Sequence, residues 1–222
     1  MNRHLRLFLA LLVSMAGVLT GTDYYVDVNR GNDLYNGLSL TTPWKTVGKA
    51  NITLVAGDTV YIMNGTYSEQ FLPSHSGSAR NYITCKSYTG HRPILKGTNQ
   101  PFGTIYFPAG INYIIVDGIT VDGGPRTSST AQFFVWIEGD HNTIQNCTLT
   151  NATDNVDGGV RIYGNYNKVL NCKISHAGNR DLGDVWVEGT YNLVEGCTIF
   201  DIGHDTINLF GHHNIGACFK VT

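Results

Sequence analysis

Trp136, Arg161 and Trp186 lie 25 residues apart, and Asn208 continues the series after a slightly shorter step. Glu138, Tyr163, Glu188 and Phe210 repeat the spacing two positions further on. An indole face stacks on the apolar face of a pyranose ring. A guanidinium grips a carboxylate with two parallel hydrogen bonds, and Glu, Tyr and Asn exchange hydrogen bonds with sugar hydroxyls. The set therefore suits the binding of an acidic sugar. It equally suits a self-supporting cation–π stack, worth about 0.5–1 kcal/mol per exposed contact, or a patch covered by a long loop. Just ahead of these residues come Asp154 and Asp157, then His176, Arg180, Asp181 and Asp184, then Asp201, His204 and Asp205. Oxygen ligands on loops suit Ca²⁺, although Asp also populates turns for backbone reasons alone.

What holds these residues at a fixed interval is an internal repeat. Gly139, Gly164 and Gly189 share it, as do Asn142, Asn167 and Asn192, and Cys147, Cys172 and Cys197. A degenerate earlier copy runs Val116–Val121, and a later one opens at Gly211. No 3.6-residue period is present. Each unit instead holds three short alternating runs broken by Gly, Asn or Asp. The first run is Phe134–Glu138, Gly159–Tyr163, Asp184–Glu188 and Thr206–Phe210. The second ends at Ile144, Val169 and Val194, and the third is Cys147–Leu149, Cys172–Ile174 and Cys197–Ile199. Between the second and third stands Gly118, Asn146, Asn171 or Gly196, types that tolerate left-handed backbone and turn the chain in one residue.

Three strands per unit, each stacked on the next unit, make a parallel β-helix with equivalent residues about 4.8 Å apart along its axis. Its interior ladders are Val135/Val160/Val185/Ile207, Ile137/Ile162/Val187/Leu209, Ile144/Val169/Val194 and Leu149/Ile174/Ile199. Cys147/Cys172/Cys197 reads as a buried ladder of small hydrophobes, with a disulfide between neighbouring rungs the alternative. Alternation then turns Trp136, Arg161, Trp186 and Asn208 outward. Upstream, Tyr24–Val28, Thr59–Met63, Tyr82–Lys86 and Ile94–Lys96 read as strands, and Thr46–Ile52 as a short helix capping the core. The fold class is all-β, with residues 22–100 as N-terminal capping coils and 101–222 as regular coils. The chain stops partway through a turn, so a longer protein is expected.

Composition agrees with this reading. The 222 residues include 26 Gly, and only 14% are charged, which fits many tight turns and few long amphipathic helices. A formal net charge of −2 gives no sign of nucleic acid or an anionic membrane as partner. Residues 1–21 read as a signal peptide. Arg3 and Arg6 precede the apolar run Leu7–Leu19, which is shorter than the roughly 20 residues a bilayer span needs. A secreted or cell-surface protein with no stable membrane span after cleavage is expected. Five cysteines, an odd count, leave at least one thiol unpaired in an exported chain. Of four Asn-X-Thr sites, at Asn51, Asn64, Asn146 and Asn151, Asn146 is better read as a turn residue.

The opening of the mature chain carries a resemblance. It reads Tyr24-Tyr25-Val26-Asp27, Asn36-Gly37-Leu38-Ser39, Thr42-Pro43-Trp44-Lys45-Thr46-Val47, Gly57-Asp58-Thr59-Val60-Tyr61-Ile62 and Gly65-Thr66-Tyr67-Ser68-Glu69. It closes with Tyr82–Tyr88 and Arg92-Pro93-Ile94-Leu95. These segments resemble the N-terminal coils of pectate-lyase-like right-handed parallel β-helix proteins, in particular the branch of alginate lyases and chondroitinase B. The resemblance implies that substrate, an extracellular polysaccharide, lies along the outer face of the first run. It implies β-elimination, which needs a neutralised uronate carboxylate and a base. Arg161 would neutralise, and Lys168, Arg180 or His204 would be the base. Asp157, Asp181, Asp184 and Asp205 would hold Ca²⁺. No matched Lys/Arg pair falls on adjacent rungs as that branch would have it. Hydrolysis would call for a cluster of Asp, and the outward acids are only Glu138 and Glu188, two rungs apart. The alternative from another class is a non-catalytic carbohydrate-binding or adhesion rod.

Overall fold

In a computed structural model, residues 21–98, 100–124, 132–152, 159–175, 185–200, 207–217 and 220–221 are described. Three parallel sheets wrap one core. The first sheet stacks Phe102–Phe107, Gln132–Ile137, Val160–Ile162, Val185–Val187 and Ile207–Leu209. The second runs from Asp23–Val26 to Ile215–Ala217 without a break, and the third from Thr66–Tyr67 to Lys220–Val221. The N-terminal coils therefore continue into the regular ones on the same sheets. The expected registers are all present: Val135 pairs with Val160, Val160 with Val185 and Val185 with Ile207, and Ile144 with Val169 and Val169 with Val194. Two strands escaped the sequence reading, Thr66–Tyr67 and Phe102–Phe107.

Each corner has its own chemistry. From first to second sheet the chain passes Gly139, Gly164, Gly189 or Gly211. A Cβ on Gly164 would sit 1.9 Å from the Gly139 carbonyl oxygen, so no side chain fits between coils there. The next corner residues are His141, Tyr166, Tyr191 and His213, all with φ between 56 and 59°. Left-handed backbone is unfavourable for such residues. Here their rings stack flat on one another at 4.8–5.0 Å, and Tyr113 adds a further ring against His141. Then comes a buried asparagine ladder. Asn167 Oδ1 accepts the Asn142 N–H at 2.8 Å, and its Nδ2 donates to the Gly139 carbonyl at 3.0 Å. Asn142 and Asn192 repeat both bonds. The ladder satisfies backbone groups that the turn would otherwise bury unpaired. From second to third sheet, Gly118, Asn146, Asn171 and Gly196 turn the chain with φ of 53–71°, as expected.

The interior is apolar, and Cys147, Cys172 and Cys197 are buried within it as free thiols, as is Cys85. The inter-rung disulfide alternative is thereby removed for these four. Cys218 lies outside the described residues. A helix at Val47–Thr53 closes the N-terminal end, with Thr46 as N-cap accepting the Lys49 N–H at 3.0 Å. Its Val47 and Ala50, with Leu54 after it, are fully buried against the first coils. Among the described residues no helix is long and apolar enough to cross a membrane. The expected signal peptide lies outside them, apart from Gly21.

Candidate carbohydrate-binding face on the first sheet

The outer face of the first sheet carries one ladder of large side chains. Tyr106, Trp136, Arg161, Trp186 and Asn208 pair in register across five strands. Arg161 fills the gap between the two indoles. Its guanidinium carbon lies 4.9 Å from the Trp186 ring centre, 4.8 Å from Tyr163, and 5.6 Å from both Trp136 and Phe133. Nη2 donates to Glu188 Oε1 at 2.8 Å, and the side chain is 11% exposed. Nε is buried without a hydrogen-bond partner among the described residues. It faces aromatic surface, where a cation is attracted by the ring quadrupole.

Two glutamates hold the indoles in place. Trp136 Nε1 donates to Glu138 at 3.1 Å, and Trp186 Nε1 donates to Glu188 at 2.6 Å. Glu138 also accepts from the Tyr106 hydroxyl at 3.0 Å and the Ala109 N–H at 3.3 Å. Burial and this bond to a carboxylate push the Tyr106 hydroxyl up to about 12, so it stays a donor. Phe102, in left-handed backbone, stacks on Tyr106 at 4.6 Å and meets the edge of Trp136.

This packing corrects one expectation and narrows another. Trp136 is only 9% exposed, enclosed by Phe102, Phe133, Tyr163 and Arg161, so its indole face is not open to a sugar. Arg161 already has its carboxylate. The surface left for a ligand is at the far end, where Trp186 is half-buried and packs at 4.6 Å on Phe210, itself 61% exposed. Glu188 is exposed beside them.

The other expected site residues fall elsewhere. Lys168 opens the strand Lys168–Leu170 and is exposed on the second sheet, so the fold does not place it on the face with Arg161. Asn208 has the expected register, but its side chain lies outside the described residues. Arg180, His204, Asp157, Asp181, Asp184 and Asp205 also lie outside them, on segments leading into first-sheet strands. Among the described residues no three His, Cys, Asp or Glu gather as metal ligands. Tyr106, Phe102 and Phe133 were missed. The alternation of Phe102-Gly-Thr-Ile-Tyr-Phe107 was the available signal, hidden because Tyr106 precedes Trp136 by 30 residues and not 25.

Residues 24–176 match the family described as Pel9A-like, right handed beta helix region. No curated protein matches the chain. Among solved structures, pectate lyase Pel9A superposes with a TM-score of 0.65 at 20% identity, over 87% of this chain and 51% of that one. A rhamnogalacturonan lyase gives 0.61 at 19% identity, over 90% and 62%. A GH136 lacto-N-biosidase from Eubacterium ramulus gives 0.52 at 14% identity, over 81% and 34%. At these identities the likeness is one of fold. The chain spans half to just under two thirds of the first two.

Proposed function

The chain belongs to the Pel9A-like right-handed β-helix family, and from that premise we propose that it is an exported protein that binds an acidic polysaccharide along the first sheet and cleaves it by β-elimination. The observation that carries this reading is the aromatic and cationic ladder from Tyr106 to Trp186, locked by Glu138 and Glu188 and opening at Trp186 and Phe210. Preorganised aromatic groups give a sugar a fixed surface at little entropic cost. The pyranose face lies on the Trp186–Phe210 pair, and Glu188 accepts hydrogen bonds from its hydroxyls.

Proton abstraction beside the carboxylate requires a base within hydrogen-bond reach. Arg180 and His204 are the candidates on the segments entering this sheet, with Lys168 turned to the second sheet. Asp157, Asp181, Asp184 and Asp205 precede, in the sequence, the successive first-sheet strands Val160–Ile162, Val185–Val187 and Ile207–Leu209. When bound there, Ca²⁺ would neutralise the uronate carboxylate. Export follows from Arg3, Arg6 and the apolar run Leu7–Leu19.

A second reading is favoured by one observation. Arg161 is spent on Glu188, and no unpaired base lies on the described part of this face, which suits a binding module without chemistry. Ultraviolet absorbance of the chain with polygalacturonate, alginate and chondroitin sulfate, with Ca²⁺ or EDTA, separates the two. A rise with one polymer, lost in Trp186→Ala, is expected. No rise from folded protein that still binds the polymer leaves the binding module. No rise and no binding removes both.

A further inference from the structure

Away from the first sheet, the corner between the second and third sheets carries a cavity of about 530 Å³. From Gly118 onward this corner is turned by single residues. One coil earlier it takes the whole stretch 88–93, between the strands Ile83–Ser87 and Ile94–Lys96. The longer turn walls the cavity and contributes His91 and Arg92. Gly118, Ile119, Thr120, Asn146 and Thr148 line the following coils, and Lys173 closes the far side.

The chemistry of the lining is one-sided. Arg92 and Lys173 are exposed, and neither forms an ion pair among the described residues. Among the described residues no carboxylate lines the cavity. Asp117, next to Gly118, accepts a hydrogen bond from the Asn146 Nδ2 at 2.8 Å, which leaves the Asn146 carbonyl oxygen as an acceptor. His91 Nδ1 accepts the Asn64 N–H at 2.9 Å, so the ring's donor is Nε2–H. Tyr88 packs edge-on against that ring at 5.3 Å and holds it. Thr120, Thr148 and Lys173 pair in register on successive coils. Arg92 stands on the coil before Thr120, whose N–H donates to the Pro93 carbonyl. The two cations thus belong to coils three rungs apart, about 14 Å along the axis at ~4.8 Å per rung, with the two threonine rungs between them.

We propose that this cavity is a second glycan site, binding a strand of uronate polymer along the helix axis through carboxylates at Arg92 and Lys173 and hydroxyls at Thr120, Thr148 and His91. It rests on the reading of the chain as polysaccharide-active. It requires neither the first-sheet face nor any bond cleavage. Its role is to hold polymer on the protein while another stretch lies on the first sheet.

Affinity electrophoresis of the full chain in gels containing polygalacturonate, dextran sulfate or uncharged dextran tests it. The wild type is retarded by polygalacturonate and unaffected by dextran. Arg92→Gln loses about tenfold in affinity and Arg92→Gln/Lys173→Gln about a hundredfold, the size expected for charge-assisted hydrogen bonds. Both residues are exposed, so an unchanged Tm accompanies the loss. Trp186→Ala keeps the retardation that Arg92 and Lys173 supply, which separates this site from the first-sheet face. Loss in the double variant without any polymer cleavage by the wild type would leave the second site standing and remove β-elimination. Undiminished retardation of the double variant overturns the inference, and so does retardation by dextran sulfate alone, which would replace uronate by a sulfate ester.

Discussion

Arg161 Nη2 and Trp186 Nε1 donate to the same oxygen, Glu188 Oε1, at 2.8 and 2.6 Å. One carboxylate oxygen thus fixes a cation and the indole packed on it. Glu188 is 39% exposed, so solvent screens the ion pair, and its loss in Glu188→Gln is worth about 0.5–1 kcal/mol. Arg161→Ala also empties the space between the two indoles, and should cost about 2–3 kcal/mol. Urea unfolding of the two variants gives the comparison. An equal or larger loss for Glu188→Gln would mean that Arg161 is held by charge and not by packing.

The asparagine ladder predicts a larger effect from a smaller side chain. Asn167→Ala removes the acceptor of the Asn142 N–H and the donor to the Gly139 carbonyl, both buried. Two unpaired buried groups cost about 2–4 kcal/mol. Asn165, two residues earlier in the same turn, is less enclosed, and Asn165→Ala should cost about half as much. Denaturant midpoints for both variants would reverse that order if the ladder were decorative.

At the opposite corner the backbone decides. Asn171 has φ 53°, and Gly118 and Gly196 occupy the same place in neighbouring coils at 71 and 66°. Asn171→Gly should be neutral within about 0.5 kcal/mol, and Asn171→Ala should cost about 1 kcal/mol. Thermal melts that rank Ala above Gly would mean that this turn is not strained.

The thiols give a pH signature. Burial pushes Cys85 up to about 12. Cys172 and Cys197 are raised as well, Cys172 first by its bond with Cys147 and Cys197 first by its bond with Cys172. Burial also raises Tyr67 to about 12. Unfolded thiols ionise from their ordinary 9.0, whereas the folded ones stay protonated. Stability is therefore full below pH 9 and falls as pH climbs from 9 towards 12, by at most about 1.4 kcal/mol per unit for each thiol. Native protein should show a disulfide reagent no more than one thiol, Cys218, against five after denaturation. A flat stability profile from pH 9 to 11 would mean solvent reaches the ladder.

Much of this architecture was legible because each coil repeats the same constraints at the same interval. The one-residue turn at Asn146, Asn171 and Gly196 could be read from residue type alone, since few types accept that backbone. The ring stack through His141, Tyr166, Tyr191 and His213 could not be. Aromatic residues do not prefer left-handed backbone, and only the stacking of neighbouring coils compensates them. The fate of Arg161 was also hidden. Alternation points it outward, but whether it meets solvent or a neighbour's carboxylate depends on rotamers that spacing does not encode. Tyr106 was obscured by five extra residues in the coil before Trp136.

The joint between coils has a consequence for length. Gly139 and Gly164, Asn142 and Asn167, and the rings at 141 and 166 meet their successors through the same three contacts. A slip of one residue would break all three together, whereas removing or duplicating 25 residues would rejoin surfaces that already fit. Such a rod can be lengthened or shortened by gene duplication or deletion in whole coils, each step moving everything beyond it by one strand spacing along the axis.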